Sequence, residues 1–223
     1  MAPHTSFSTL AYCTLFLLVA MMWFGLNCLS SLPRTRLLSS IRGADKQLIL
    51  SQAHSMLQQK LLVLDLLTDE DYCKKNVDIF NSSIGGHLRH SMDHYEALVT
   101  AASSPSSFAD YDSRSRNTLV ETNRKAAKDS VLALQKKLEK LDLEKNIEVS
   151  FIGETKTFTS FKLTSTVARE LSFASHHGIH HMSMIKLLLQ GMGYSLPAEA
   201  NVGIAPSTVL HHKQHPEESL IKA

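Results

Sequence analysis

Cysteine is scarce in this sequence. Of the three, Cys13 and Cys28 lie in or beside an N-terminal apolar run, and only Cys73 lies in the main body. The body therefore cannot close an internal disulfide, and without a Cys-x-x-Cys pair it has no thiolate zinc motif. An excess of one charge is missing too. The 23 Lys and Arg residues against 21 Asp and Glu leave a formal charge of +2, which excludes a strongly basic nucleic-acid footprint. Residues 1–9 hold no Lys or Arg. Glu-x-x-His occurs in neither histidine-rich helical stretch, so a di-iron carboxylate bundle fits badly. What is present is a 43% hydrophobic chain of 223 residues, enough for one sizeable core plus an appendage.

Leu10 to Leu29 is nearly continuous apolar sequence without a charge. Twenty helical residues span about 30 Å, the thickness of the hydrocarbon layer. A cleaved signal peptide competes, with Cys28 and Ser30 as a small-x-small site, but its n-region is normally basic. The favoured expectation is a transmembrane helix, contacting the membrane through residues 10–29. Arg34, Arg36, Arg42 and Lys46 follow it. The positive-inside tendency then makes this a single-pass membrane protein with its body on the cytosolic side. The alternative is the secretory pathway after cleavage. The expected organisation is an anchor or signal at 1–30, a linker at 31–43, a helical domain at 44–208 and a flexible tail at 209–223.

Four helical stretches can be read in the body. Leu48, Ile49, Ala53, Met56, Leu57, Leu61, Leu64 and Leu67 approximate an i, i+3, i+4 stripe in the first, over 44–67. Ser82 or Ser83 can cap the second, which ends near Ala102. Gly85 and Gly86 in its first turn would leave room for a ligand. Ser103 to Asn117 is Ser-, Pro- and Asp-rich and reads as a loop. Within it, Arg114 or Arg116 could offer a guanidinium to an anionic substrate group. The third helix is expected from Thr122, its cap, to Leu143. The period then changes to two over Asn146 to Leu163, a short β-hairpin. The fourth helix runs from about Ser165 to Gln190. The expected fold is all-α: a four-helix bundle with a short β-hairpin between helices 3 and 4, plus the N-terminal transmembrane helix.

Histidines concentrate on the second and fourth helices. At about 100° per residue, His177 and His181 lie within roughly 40° of each other. Leu163, Val167, Ala174, Ile185 and Leu188 share that side, so the pair points toward the core. His176 and His180 are rotated away, beside Arg169, Phe173 and Leu187. Packed, hydrogen-bonded core histidines would satisfy this pattern, and so would two ligands of one cation. His87, His90 and His94 form a single stripe along the border of the second helix's apolar face. His90 or His94, joined to His177 and His181, would give three nitrogen ligands and one open position. Glu170, two turns before His177, could orient a ligand ring or pair with an arginine.

Four ordered stretches, SSIGGHLRHSMDHYEAL, DYDSRSRNTLVET, RELSFASHHGIHHMSMIKLLL and GIAPST, resemble the DinB-like (DinB/YfiT) superfamily of metal-dependent four-helix proteins. More narrowly they resemble its uncharacterised branch with a tyrosine-aspartate-x-arginine-x-arginine loop. The resemblance covers Leu48 to Thr208. It implies a divalent metal, zinc first with nickel or iron as alternatives, held by His90, His177 and His181. His87, His94 and Glu170 are then supporting or alternative ligands. It implies a small-molecule substrate, a low-molecular-weight thiol for the characterised relatives, with S-transferase, isomerase or hydrolase chemistry. It also implies pairing into homodimers. A non-catalytic metal-binding or interaction bundle tethered to a membrane is the rival expectation.

Overall fold

Ser83, Asn123 and Thr166 start three of the long helices in the same way. Each side-chain oxygen accepts a hydrogen bond from the backbone N–H three residues on: Gly86 at 3.0 Å, Ala126 at 2.8 Å and Arg169 at 3.2 Å. The computed structural model describes residues 40–77, 81–113 and 116–216. Its long helices are α1 (Gly43–Leu66), α3 (Ile84–Ser103), α5 (Arg124–Leu138) and α6 (Val167–Gly191). A short helix α2 (Asp69–Cys73) follows α1, and α4 (Leu119–Thr122) precedes α5.

The long helices pack as a ring. Helix α1 touches α5 and α6, and α3 touches the same two. The apolar stripes meet at the centre: Ala53, Leu57 and Leu64 of α1; Ile84, Leu88, Tyr95 and Leu98 of α3; Val131 and Leu134 of α5; Leu171, Ala174, Ile185 and Leu188 of α6. One member of the α1 stripe is not apolar. Lys60 occupies the core position between Met56 and Leu64 and is 0% exposed.

Two small sheets complete the fold. Strands β1 (Lys75–Asn76) and β2 (Ser82–Ser83) pair antiparallel just before α3. Strands β4 (Asn146–Ile152) and β5 (Ser160–Thr166) form the expected hairpin, with Ile147 opposite Ser165. A third strand, β3 (Phe108–Asp110), adds to β4 in parallel, Ala109 opposite Val149. Both of those side chains are buried. The Ser- and Pro-rich segment that reads as loop thus contributes three extended residues. Three residues are too few for alternation to stand out against that composition. Their pairing carries the next residue, Tyr111, into the bundle, where it is 5% exposed.

These findings correct the expected fold class. Among the described residues the chain is mostly helical, with seven α-helices and two small sheets, rather than all-α with one hairpin. The expected transmembrane helix at Leu10 to Leu29 lies outside the described residues. Among those described, no helix is long and apolar enough to cross a membrane. A single-pass membrane protein with a cytosolic body is therefore not supported, and that localisation is withdrawn. The third helix differs as well. It breaks at Asn123, whose backbone is extended (φ −131°), so Asn123 rather than Thr122 supplies the cap and α5 ends at Leu138.

After α6, a 3₁₀ turn at Ala198–Ala200 leads to Gly203, whose φ of +68° favours glycine. The Gly203 N–H donates to Gln59 Oε1 on α1, and its carbonyl accepts from Ser183 Oγ on α6. Residues read from the sequence as tail then enter a last helix, α7 (Pro206–Gln214).

Candidate metal centre

Helices α3 and α6 lie side by side, and the histidine stripes of both face the shared groove. His90 comes from α3; His177 and His181, one turn apart, come from α6. His177 Nε2 is 3.4 Å from His90 Nε2 and 3.1 Å from His181 Nε2. One nitrogen from each ring falls within 4.8 Å of the other two. Two ligands at 2.0–2.1 Å in a tetrahedral shell are separated by about 3.4 Å, so this spacing suits one small cation. His181 is buried, and His90 and His177 are half-buried.

Charge state favours ligation. Burial pushes His181 far below the usual imidazole range, and the neighbouring His177, His90, His87 and His180 push it further. A neutral ring keeps a lone pair for a metal. Burial also lowers His87, with a smaller push from His180. His87 Nδ1 stands 3.4 Å from His181 Nδ1. A His181 that presents Nε2 to its partners carries its proton on Nδ1 and donates it to His87. That contact fixes the tautomer and ring angle of a ligand.

The remaining expected residues divide. His94 is buried and its ring centre is 4.0 Å from that of His177. Its Nδ1–H donates to the His90 carbonyl at 3.1 Å, and its ring stacks on Tyr111 at 5.2 Å. His94 therefore packs against the cluster but lies outside its three-nitrogen group. Glu170 is fully buried but faces elsewhere. It accepts from Tyr111 Oη at 3.0 Å, Ser165 Oγ at 2.6 Å and Arg169 Nη1 at 2.7 Å. It is the inward carboxylate paired with an arginine. Arg116 is exposed, between β3 and α4. Arg114 lies outside the described residues.

Sequence reasoning missed the aromatic wall beside the rings. Phe173 stacks on His177 at 6.0 Å, Tyr111 lies 5.7 Å from Phe173, and Phe151 lies 5.3 Å from Tyr111. Phe173, one turn before His177 on the same helix, was the available signal. Tyr111 depends on the β3 pairing, which the sequence conceals. Gly85 and Gly86 do not open onto this site. A Cβ at Gly85 would sit 2.2 Å from the Glu121 carbonyl oxygen, so the missing side chain makes room for α4 rather than for a ligand.

A bundle whose second and last long helices bring together three imidazoles able to hold a divalent metal defines the class. The chain belongs to the DinB family, whose model matches residues 45–205. It is also similar to a Rhizopus delemar protein named FK506-binding protein 5, at 32% identity over 123 residues. That match covers 54% of this chain but 31% of the relative, so the chain spans about a third of that protein's length. No solved structure matches.

Proposed function

We propose that this chain is a metal-dependent enzyme in which His90, His177 and His181 hold one divalent ion, zinc foremost, for chemistry on a small thiol or a water molecule. The observation that carries the reading is the pair of nitrogen spacings, 3.4 Å and 3.1 Å, between rings from two helices. Three neutral imidazoles leave one position of a tetrahedral shell for an exogenous ligand. When bound there, such an ion lowers the pKa of a thiol or water. The chain's own residues do the rest. His87 holds the Nδ1 proton of His181, and the His94 ring braces His177. Phe173 and Tyr111 present an apolar wall that restricts water on one flank. The reaction is of S-transfer, isomerisation or hydrolysis type.

Metal analysis of the purified full chain tests the reading. Wild type is expected to hold about one zinc per chain after dialysis, and His90→Ala, His177→Ala and His181→Ala to hold almost none. His94→Ala should keep its metal, because His94 lies outside the three-nitrogen group and its Nδ1 is engaged on the His90 carbonyl. His87→Phe should weaken zinc affinity about 10–100-fold through loss of the supporting contact. Full zinc content in His177→Ala would end the proposal. Metal-dependent acceleration of monobromobimane conjugation by glutathione or dithiothreitol then separates catalysis from simple metal binding. No acceleration over the His177→Ala chain would leave a non-catalytic metal-binding bundle.

A further inference from the structure

The last helix carries histidines that the centre in the bundle does not use. His211 and His212 occupy the final turn of α7, and His215 caps it. The His215 N–H donates to the His211 carbonyl at 2.9 Å, so one complete helical turn joins the two residues. Their ring centres are 4.7 Å apart, with planes inclined at 37°. The interior pair, His177 and His181, has the same sequence spacing and a ring separation of 4.6 Å. The outer helix thus repeats, on the surface, the two-ligand half of the inner site.

We propose that His211 and His215 form a second, surface chelate for a divalent transition metal, with copper(II) bound most tightly. Two imidazoles one turn apart can grip one ion while water completes its shell. Nitrogen ligands rank copper(II) above nickel and zinc in the usual order of affinities. Both rings are exposed, so neither must be desolvated to bind. The end of a helix adds a partial negative charge and unsatisfied carbonyls, which favour a cation. Lys213 opposes this charge but projects about 160–200° around the helix from both rings.

Spacing alone does not create such a site in this protein. His176 and His180 are also exposed and four residues apart. They adjoin the inner cluster, with His180 turning its ring toward His181 at 5.1 Å, whereas His211 and His215 stand on a separate helix. His212 lies on the adjacent face, its ring centre 6.2 Å from that of His211.

The test is copper(II) titration of the zinc-loaded full chain, read by electron paramagnetic resonance. Wild type is expected to bind one more copper equivalent than His211→Ala/His215→Ala, with hyperfine structure from two nitrogens. The milder His215→Gln should weaken that equivalent at least tenfold, and His176→Ala should leave it intact. The proposal is overturned if the double variant binds the same copper with the same spectrum, or if His176→Ala removes the signal.

Discussion

Replacing Lys60 with methionine is expected to raise the thermal unfolding midpoint at pH 7. It should also flatten the rise in stability between pH 7 and pH 10. Lys60 is 0% exposed, and its Nζ has no hydrogen-bond partner. Its Nζ lies over the Tyr95 ring, 5.7 Å from the centroid. Burial pushes the amine down to about 7. The sign follows from proton counting. Between pH 7 and about 10.4 the unfolded chain binds a proton that the folded chain does not, so stability climbs with pH across that window. Below pH 7 both states carry the proton, and the cost of burying the charge is felt in full. Each pKa unit is worth about 1.4 kcal/mol, so the cost at pH 7 is on the order of 4 kcal/mol. Methionine has a similar length and no charge. After allowance for imperfect repacking, a gain of about 2–4 kcal/mol is expected, or on the order of 10 °C for a chain of this size. Melts at pH 7 and pH 9 would check it. A lower midpoint for Lys60→Met at both pH values would show that the amine contributes a favourable contact.

Gly85→Ala is expected to destabilise the fold by about 2–3 kcal/mol, although alanine is the better helix former by about 1 kcal/mol. The added methyl would lie 2.2 Å from the Glu121 carbonyl oxygen and 3.0 Å from Tyr72 Cε1. Neither neighbour can yield easily. Tyr72 Oη donates to the Val120 carbonyl at 2.5 Å, and Arg89 Nε pairs with Glu121 at 3.1 Å. Relieving the clash means lifting α4 from α3 and losing those contacts. Gly178→Ala is the internal control. Its methyl would meet Met56 Sδ, Tyr95 Oη and Lys60 Nζ at 3.5–3.6 Å, which is ordinary contact. That substitution should be neutral or stabilising by up to about 1 kcal/mol. Chemical denaturation of the two variants distinguishes them. Equal effects would mean that the approach of α4 does not govern Gly85.

The three-histidine cluster was largely legible because it obeys helical geometry. His177 and His181 share the side of Ala174, Ile185 and Leu188, and the same periodicity that buries those residues turns the imidazoles inward. What periodicity could not supply was the partner for each side chain. Glu170 could orient a ligand or pair with an arginine, and only packing against Tyr111 and Ser165 decides between them. Tyr111 arrives through a three-residue parallel strand whose partner lies about forty residues later, a pairing that local composition cannot reveal. Lys60 was hidden by the default that lysines face water, although its position falls on the same stripe as Met56, Leu57 and Leu64. Gly85 was read as space for a ligand because residues 118–121, between the expected loop and the expected third helix, were assigned to no element, and the backbone that fills that space was therefore missing from the picture.

X-ray absorption at the zinc edge of the reconstituted full chain probes the ligand set directly. Three imidazole nitrogens at about 2.0–2.1 Å and one further light atom are expected, with the imidazole scattering reduced in His177→Ala. A spectrum that shows sulfur from Cys73, or one that His177→Ala leaves unchanged, would place the zinc elsewhere in the chain.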